Sequence, residues 1–321
     1  MFVSIRNPQN LGTFREALLA WYDVNRRDLP WRRTTDPYRI WVSEIMLQQT
    51  RVGAVLEHYK RFFERFPNVQ SLAQAKEEQV LAAWSGLGYY RRARNLHACA
   101  KVLVAEHVSK LPSTAKQLRK LPGIGRYTAA AIASIAFQQP EAVVDGNVER
   151  VLGRIAGRAL SLSETWSLAG ELLSPERPGD FNQAMMELGA TVCLAGEPKC
   201  LVCPVMKFCR LRGSHARQKP EQRQSKSICI VLAQRKESVW LVQRAESLSL
   251  MPGMWELPES SPNGRPPEAK FKHSILNTDF EVSVFLAAAP SGKGRWVRKS
   301  SLGQSALTGL TRKILRHFKW I

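Results

Sequence analysis

The chain has 321 residues, 44% of them hydrophobic, enough for two domains with packed cores and no disulfide support. No apolar run reaches 18 residues and the first ten lack the apolar stretch of a signal peptide, so the composition points away from membrane and secreted classes and toward the cytoplasm. The 47 Lys+Arg outnumber the 27 Asp+Glu for a formal charge of +20, and residues 226–321 alone hold 15 basic and 7 acidic side chains, so both parts of the chain suit one long polyanion such as a nucleic acid.

Taken in chain order, amphipathic spacing predicts helices over residues 11–26, 38–49, 52–66, 91–106, 127–137, 148–157 and 181–193. Asp36-Pro37, Phe66-Pro67, Gly86-Leu87-Gly88, Leu111-Pro112 and Pro178-Gly179 punctuate them. Residues 210–226 carry six basic side chains, one acid and almost nothing apolar, and read as an exposed basic linker. Beyond it, residues 227–233, 238–243 and 281–287 are short β-rich runs, and a last helix is expected near 311–318. The expected organisation is a helical domain over 1–209, the linker 210–226, and a small α/β domain over 227–321.

Four patterns carry chemistry. In Leu121-Pro122-Gly123-Ile124-Gly125-Arg126-Tyr127-Thr128, Gly123 and Gly125 lead into a helix whose first turn has free N–H groups, a cradle for phosphate; a plain turn between helices would use the same glycines. Glu44, within Ser43-Glu44-Ile45-Met46-Leu47-Gln48-Gln49-Thr50, has Ile40, Trp41 and Leu47 as helical neighbours. An apolar face raises a carboxyl's pKa and keeps it protonated, as a general acid needs. Asp145, in Val143-Val144-Asp145-Gly146-Asn147, stands where a helix begins, and the cap and the positive helix end favour its charged form. A neutral and a charged carboxyl together suit an oxocarbenium-like sugar transition state. Finally, Cys193, Cys200, Cys203 and Cys209 fall within 17 positions as C-x6-C-x2-C-x5-C, a four-thiolate metal site for zinc or an iron–sulfur cluster. Cys99 and Cys229 stand apart from this set and read as buried, inert thiols.

The order of these pieces resembles the helix-hairpin-helix DNA glycosylases that end in a four-cysteine iron–sulfur loop, the group of endonuclease III and MutY. Asp145 follows Tyr127 by 18 positions, as in that group. Leu29-Pro30-Trp31, the Ser43–Thr50 segment, Gly86-Leu87-Gly88-Tyr89-Tyr90 and Phe181-Asn182-Gln183-Ala184-Met185-Met186-Glu187-Leu188-Gly189 are similar to MutY in particular. The resemblance covers about residues 11–210. It implies a [4Fe–4S] cluster on the four cysteines and a monomer acting on double-stranded DNA that carries adenine opposite 8-oxoguanine or guanine, in a bacterial-type cytoplasm and without a membrane. Glu44 would protonate adenine, Asp145 would stabilise the sugar cation or bond to it, and Tyr127 and Asn147 would orient Asp145 and the substrate. Trp31, Arg32, Leu47 and Glu187 would line the adenine pocket, Gln49 and Tyr89 would fill the gap beside the opposite base, and Gln48 and Thr50 would belong to the same substrate- and DNA-binding set. Bifunctional members carry a lysine where this chain has Tyr127; a phenol forms no Schiff base, so a monofunctional enzyme is implied.

Val239–Arg244 and Gly253–Pro258 resemble the MutT-like domain of MutY, which reads 8-oxoguanine. No Nudix box is present, so that domain is expected to read rather than hydrolyse. The family's Phe-Ser-His probe stands here as Phe271-Lys272-His273-Ser274, with lysine in the serine position; a surface histidine on a strand edge would look the same. The competing readings are a thymine-mismatch glycosylase, a non-catalytic iron–sulfur DNA-binding protein and a nucleotide hydrolase.

Overall fold

The computed structural model describes residues 8–212, 223–248, 250–260, 266–275 and 277–321. The expectations for residues 1–7, the linker segment 213–222 and residues 261–265 lie outside the described residues. The chain forms two compact units: Met1–Tyr59 with Ala98–Gln218, and Lys60–His97 with Lys219–Ile321. The expected halves, 1–209 and 227–321, differ from this division, because residues 60–97 pack with the C-terminal strands. No helix among the described residues is long and apolar enough to cross a membrane.

The first unit contains α1 (Pro8–Asn25), α2 (Pro37–Leu47) and the start of α3 (Val52–Arg65). In the second unit α3 ends, α4 (Val69–Gln74) and α5 (Glu77–Trp84) follow, and α6 (Arg91–Glu106) begins before it returns to the first. The first unit then continues with α7 (Ala115–Leu118), α8 (Arg126–Phe137), α9 (Gly146–Ala156), α10 (Leu162–Leu172) and α11 (Pro178–Thr191). The helix starts follow local chemistry. Asp36 caps α2 by accepting from the Tyr38 N–H at 2.9 Å, with Pro37 at the first position. Ser161 and Glu164 close a capping box on α10. Gly157 stops α9 in the left-handed conformation, at φ 77°.

Helix α8 is built of small residues, with Thr128–Ile135 buried throughout. This lets α11 approach closely: a Cβ on Gly179 would stand 2.7 Å from the Ser134 carbonyl oxygen. Asn182 of α11 bonds the Ser134 hydroxyl (2.9 Å) and the Glu141 carbonyl (2.8 Å) through its amide. Phe14, Leu18 and Tyr22 of α1 pack with Phe181, Leu188 and Val148 in one hydrophobic core. Phe208 belongs to the same core, with its ring edge-on to Phe14 at 5.5 Å. The cysteine loop is therefore anchored by hydrophobic burial at its far end.

In the second unit β1 (Gln224–Leu232), β2 (Gln234–Arg235), β3 (Ser238–Gln243), β4 (Trp255–Glu256), β5 (Ala269–Ile275), β6 (Thr278–Leu286) and β7 (Arg295–Arg298) precede α12 (Lys299–Leu302) and α13 (Gly309–His317). One sheet runs β1-β6-β5, with β1 and β6 parallel and β5 an antiparallel edge. In the other, β3 pairs with β2, β4 and β7, all antiparallel. Ile230, Leu232, Val239, Leu241, Val282 and Val284 form its core with Ile314 and Leu315 of α13. The strands β2, β4, β5 and β7 were not foreseen. On β5 exposed lysines alternate with half-buried residues, which hides the strand in a polar stretch.

Candidate active site

Helices α2, α8, α9 and α11 bring four of the expected residues into one part of the first unit. Glu44 is 5% exposed. Burial pushes its carboxyl up to about 7, against a lowering hydrogen bond from Tyr127 and with a further rise from the charge of Asp145. The Tyr127 hydroxyl donates to Glu44 Oε2 at 2.6 Å and rests 3.6 Å from the Met186 sulfur. Burial, reinforced by the charges of Glu44 and Asp145, holds the phenol well above its usual range, so it remains a donor. Glu44 thus holds a proton on about half of the molecules at neutral pH and on most of them below it.

Asp145 is the N-cap of α9. Its Oδ1 accepts from the Val148 N–H at 2.7 Å and its Oδ2 from the Asn147 amide at 2.9 Å. Asn147 in turn accepts from Arg150 (2.8 Å), whose guanidinium also reaches the carbonyls of Gly189 (2.7 Å) and Cys193 (2.9 Å). Gly189 makes this junction possible, since a Cβ there would fall 2.6 Å from the Asn147 Cβ. The carboxylate of Asp145 is therefore held from both oxygens, and the residue holding one of them is itself braced.

The expected pocket residues are placed differently. Trp31 is buried, edge-on to Tyr59 at 5.3 Å. Glu187 is buried with no exposed side-chain surface, and four donors meet it. Its Oε1 accepts from the Arg27 N–H (3.1 Å) and Nε (2.8 Å), and its Oε2 from Arg27 Nη2 and Arg32 Nη2 (both 2.7 Å). Burial would raise this carboxyl, but the hydrogen bonds from Arg27 and Arg32 prevail and hold it at about 2. Sequence reasoning missed Arg27. Its partner lies 160 positions away, and no local signal marks such a pair. Gln48 donates to the Thr128 hydroxyl at 3.1 Å, Thr50 to the Gln48 carbonyl at 3.3 Å, and Leu47 is half-buried at the end of α2. Gln49 leaves the helix in the left-handed conformation, φ 54°. Gly123 has φ 73°, whereas Gly125 is extended and a Cβ on it would meet nothing within 4 Å. Packing within the protein does not require a glycine at 125.

Cys193, Cys200, Cys203 and Cys209 are all half-buried free thiols. Burial pushes Cys203 up to about 11, and the charges of Cys193, Cys209 and Cys200 push the same way, so the four sulfurs lie within electrostatic reach of one another. Among the described residues no three Cys, His, Asp or Glu side chains are gathered tightly enough to grip a single ion. Arg154 donates to the Cys193 sulfur at 3.2 Å. Four thiols from one loop are the kind of donor set that a metal or an iron–sulfur group takes.

In the second unit, strand period two separates the expected lesion-reading residues. Phe271 and His273 face α13: the Phe271 ring meets His317 edge-on at 5.1 Å. Lys272 and Ser274 face the other way, and the Ser274 hydroxyl donates to Asp279 at 2.5 Å. Tyr89 is 45% exposed at φ 48°.

Residues 42–162 match the model of the HhH-GPD superfamily base excision DNA repair proteins. The chain is similar to adenine DNA glycosylase of Homo sapiens, 48% identical over 234 residues, covering 68% of this chain and 42% of that one. It is also similar to adenine DNA glycosylase of Schizosaccharomyces pombe, 33% identical over 363 residues, 88% of this chain and 78% of that one. Among solved structures, a thermostable thymine-DNA glycosylase matches with a TM-score of 0.59 and 31% identity over 63% of this chain and 96% of its own. The chain spans under half the length of the mammalian relatives it matches. With more than two thirds of the Schizosaccharomyces pombe protein covered at 33% identity, the chain belongs to the adenine DNA glycosylase family, within the HhH-GPD superfamily.

Proposed function

We propose that this protein is a monofunctional glycosylase that excises adenine from double-stranded DNA where it faces 8-oxoguanine or guanine. The observation that carries this reading is the buried Glu44 carboxyl, raised to about 7 and facing the Tyr127 hydroxyl, with Asp145 braced nearby. Glu44 gives its proton to a ring nitrogen of the flipped adenine as the glycosidic bond breaks. Asp145 stabilises the positive charge at the sugar carbon, and water completes the hydrolysis. Tyr127 offers no amine for a Schiff base, so the abasic strand stays intact.

The remaining residues divide the work of binding. Trp31, Arg32 and Leu47 receive the adenine, and Arg32 is set in place by Glu187. Gly123 and Gly125 leave room for a backbone phosphate at the start of α8, which the clearance above Gly125 supports. Gln49 and Tyr89 enter the gap beside the opposite base, which offsets the cost of flipping. Cys193, Cys200, Cys203 and Cys209 hold a [4Fe–4S] cluster that ties the loop after α11, and the protein acts as a monomer. The strands of residues 227–321 form a MutT-like domain that reads the base opposite adenine.

A single assay tests the whole reading: single-turnover excision followed by alkali on duplexes bearing A opposite 8-oxoG, A opposite G, T opposite G, and thymine glycol. Cleavage only after alkali, and only of the two adenine duplexes, is expected. Faster release of thymine from T opposite G would install the thymine-mismatch reading, to which the likeness to a thermostable thymine-DNA glycosylase points. Strand scission without alkali would remove the monofunctional assignment.

A further inference from the structure

Between α5 and α6 the chain reverses over residues 85–90. Three of these six lie in the left-handed region: Gly86 at φ 110°, Gly88 at 71° and Tyr89 at 48°. A tyrosine there is unfavourable and persists only where its surroundings impose it. Part of the imposition is local. Trp84 Nε1 donates to the Gly88 carbonyl at 3.2 Å, and Arg92 Nη2 donates to the carbonyls of Leu87 and Gly88 at 3.1 Å each. The Arg92 guanidinium lies 5.5 Å from the ring centroids of Trp84 and Tyr89.

The other part comes from more than 200 residues away. Ser85 Oγ, at the start of the turn, donates to the Leu307 carbonyl at 2.8 Å, and Tyr90 Oη, at its end, reaches the same oxygen at 3.4 Å. That carbonyl is fixed in turn. Residues on both sides of Leu307 pair with Trp255 of β4, through Trp255 N–H to Ala306 O (2.8 Å) and Thr308 N–H to Trp255 O (3.0 Å). The Leu307 side chain is buried in the core of the strands. Arg312, in the first turns of α13, donates Nε to Ser85 Oγ at 3.0 Å. A hydroxyl has one proton and two lone pairs, so Ser85 can serve both partners at once. Burial pulls the Arg312 guanidinium down, Tyr90 opposes this, and the charges of Arg316 and Arg61 add to it, so its position beside Ser85 is held against an electrostatic cost.

We infer that Ser85, Tyr90 and Arg312 form a latch through which the C-terminal strand region sets the conformation of the 85–90 turn and so the posture of the Tyr89 ring. The inference rests on the reading of Tyr89 as the residue beside the base opposite adenine. The C-terminal region then influences lesion reading in two ways: by its own contacts to the base and by holding an aromatic side chain encoded far upstream. Ser85 and Arg312 are positioning residues in this scheme, since they act through Tyr89.

A double-mutant cycle tests it in the full chain. Single-turnover rates on A opposite 8-oxoG and A opposite G are measured for the native protein, Arg312→Gln, Tyr89→Ala and the double variant, at fixed salt. Loss of a hydrogen bond of this kind is expected to lower the preference for the 8-oxoG duplex about three- to tenfold in Arg312→Gln. The double variant should show the preference of Tyr89→Ala and no further loss, because nothing is left for the latch to position. Hydrogen exchange at residues 86–89 should quicken in Arg312→Gln, which a phosphate contact by Arg312 would not produce. Multiplied effects in the double variant, equal slowing of both substrates, or unchanged exchange each overturn the latch. If Tyr89→Ala leaves the preference intact, the reading of Tyr89 itself fails, and the latch fails with it. Should Arg312→Gln not fold, Ser85→Ala removes a single hydroxyl and yields the same cycle, and Arg312→Lys should rescue only in part.

Discussion

Glu44 and Glu187 are both buried carboxyls of the helical unit, and they are held in opposite states. Glu44 is buried, accepts from a phenol and rises to about 7. Glu187 faces two guanidiniums and falls to about 2. Burial acts on both in the same upward direction, so the difference comes from the neighbours: at Glu44 the Tyr127 hydrogen bond and the Arg32 charge, opposed by Asp145, leave most of the desolvation penalty in force, while at Glu187 direct hydrogen bonds from two guanidiniums overcome it. Under the proposed function this difference is a division of labour, with Glu44 as proton donor and Glu187 as the anion that orients Arg32.

The strongest way to break this comparison is to remove the proton donor. Glu44→Gln keeps the shape but cannot give a proton, and Asp145→Asn loses the charge braced by Asn147 and Val148. Each should slow single-turnover excision by about 10²–10⁴-fold while duplex binding persists. Near-native excision by either variant would show that the assigned roles are wrong.

The same pair should respond oppositely in stability. Glu187→Gln leaves Arg27 and Arg32 without their anion and should cost about 2–4 kcal/mol, read as a fall in the denaturation midpoint. Glu44→Gln should go the other way above neutral pH. A carboxyl whose folded pKa is raised contributes stability that is fully present below its unfolded value and is lost as pH rises through about 7. The variant has no such loss, so its midpoint should exceed that of the native chain at pH 8 and approach it at pH 5. Equal midpoints at both pH values would mean that Glu44 is not held neutral. The matching kinetic expectation is a fall in the native excision rate of about ten- to thirtyfold between pH 6.5 and 8.5, as Glu44 surrenders its proton.

Much of this site was legible because its signals are local. Asp36-Pro37 announced α2 and so set Glu44 on an apolar face; Asp145 announced α9; and the cysteine spacing marked the loop after α11. What escaped notice depends on distant partners. Arg27 owes its role to a carboxylate on α11, and nothing in its own neighbourhood shows that. Helix α10 had a local signal, the capping pair Ser161 and Glu164, which went unused because the apolar stretch after it is short. The packing of residues 60–97 with the C-terminal strands was hidden by continuity, since α3 and α6 carry an unbroken helical pattern across the boundary between units. On β5 the exposed lysines masked the alternation, so Phe271, His273 and Ser274 read as one loop although the strand turns Ser274 away from the other two.

That separation yields the smallest and most discriminating prediction. His273 lies on the half-buried face of β5, and burial, with the charge of Lys313, pulls its pKa below the usual histidine range. It is therefore neutral at pH 7 and above. The strand is pinned beside it, as Lys313 Nζ donates to the Lys272 carbonyl at 2.8 Å. A neutral imidazole can donate from one nitrogen and accept at the other, which suits a base edge better than a phosphate. Ser274 is already committed to Asp279 on the opposite face. His273→Ala should accordingly lower the preference for A opposite 8-oxoG over A opposite G by up to about tenfold, the low end of the cost of one base-specific contact. The rate on A opposite G should be unchanged, and Ser274→Ala should alter neither rate by more than about twofold. The loss in His273→Ala should also be the same at pH 7 and pH 8, because the ring is neutral at both. A larger effect from Ser274→Ala than from His273→Ala would mean that the other face of β5 meets the DNA, and the reading of this strand would have to be inverted.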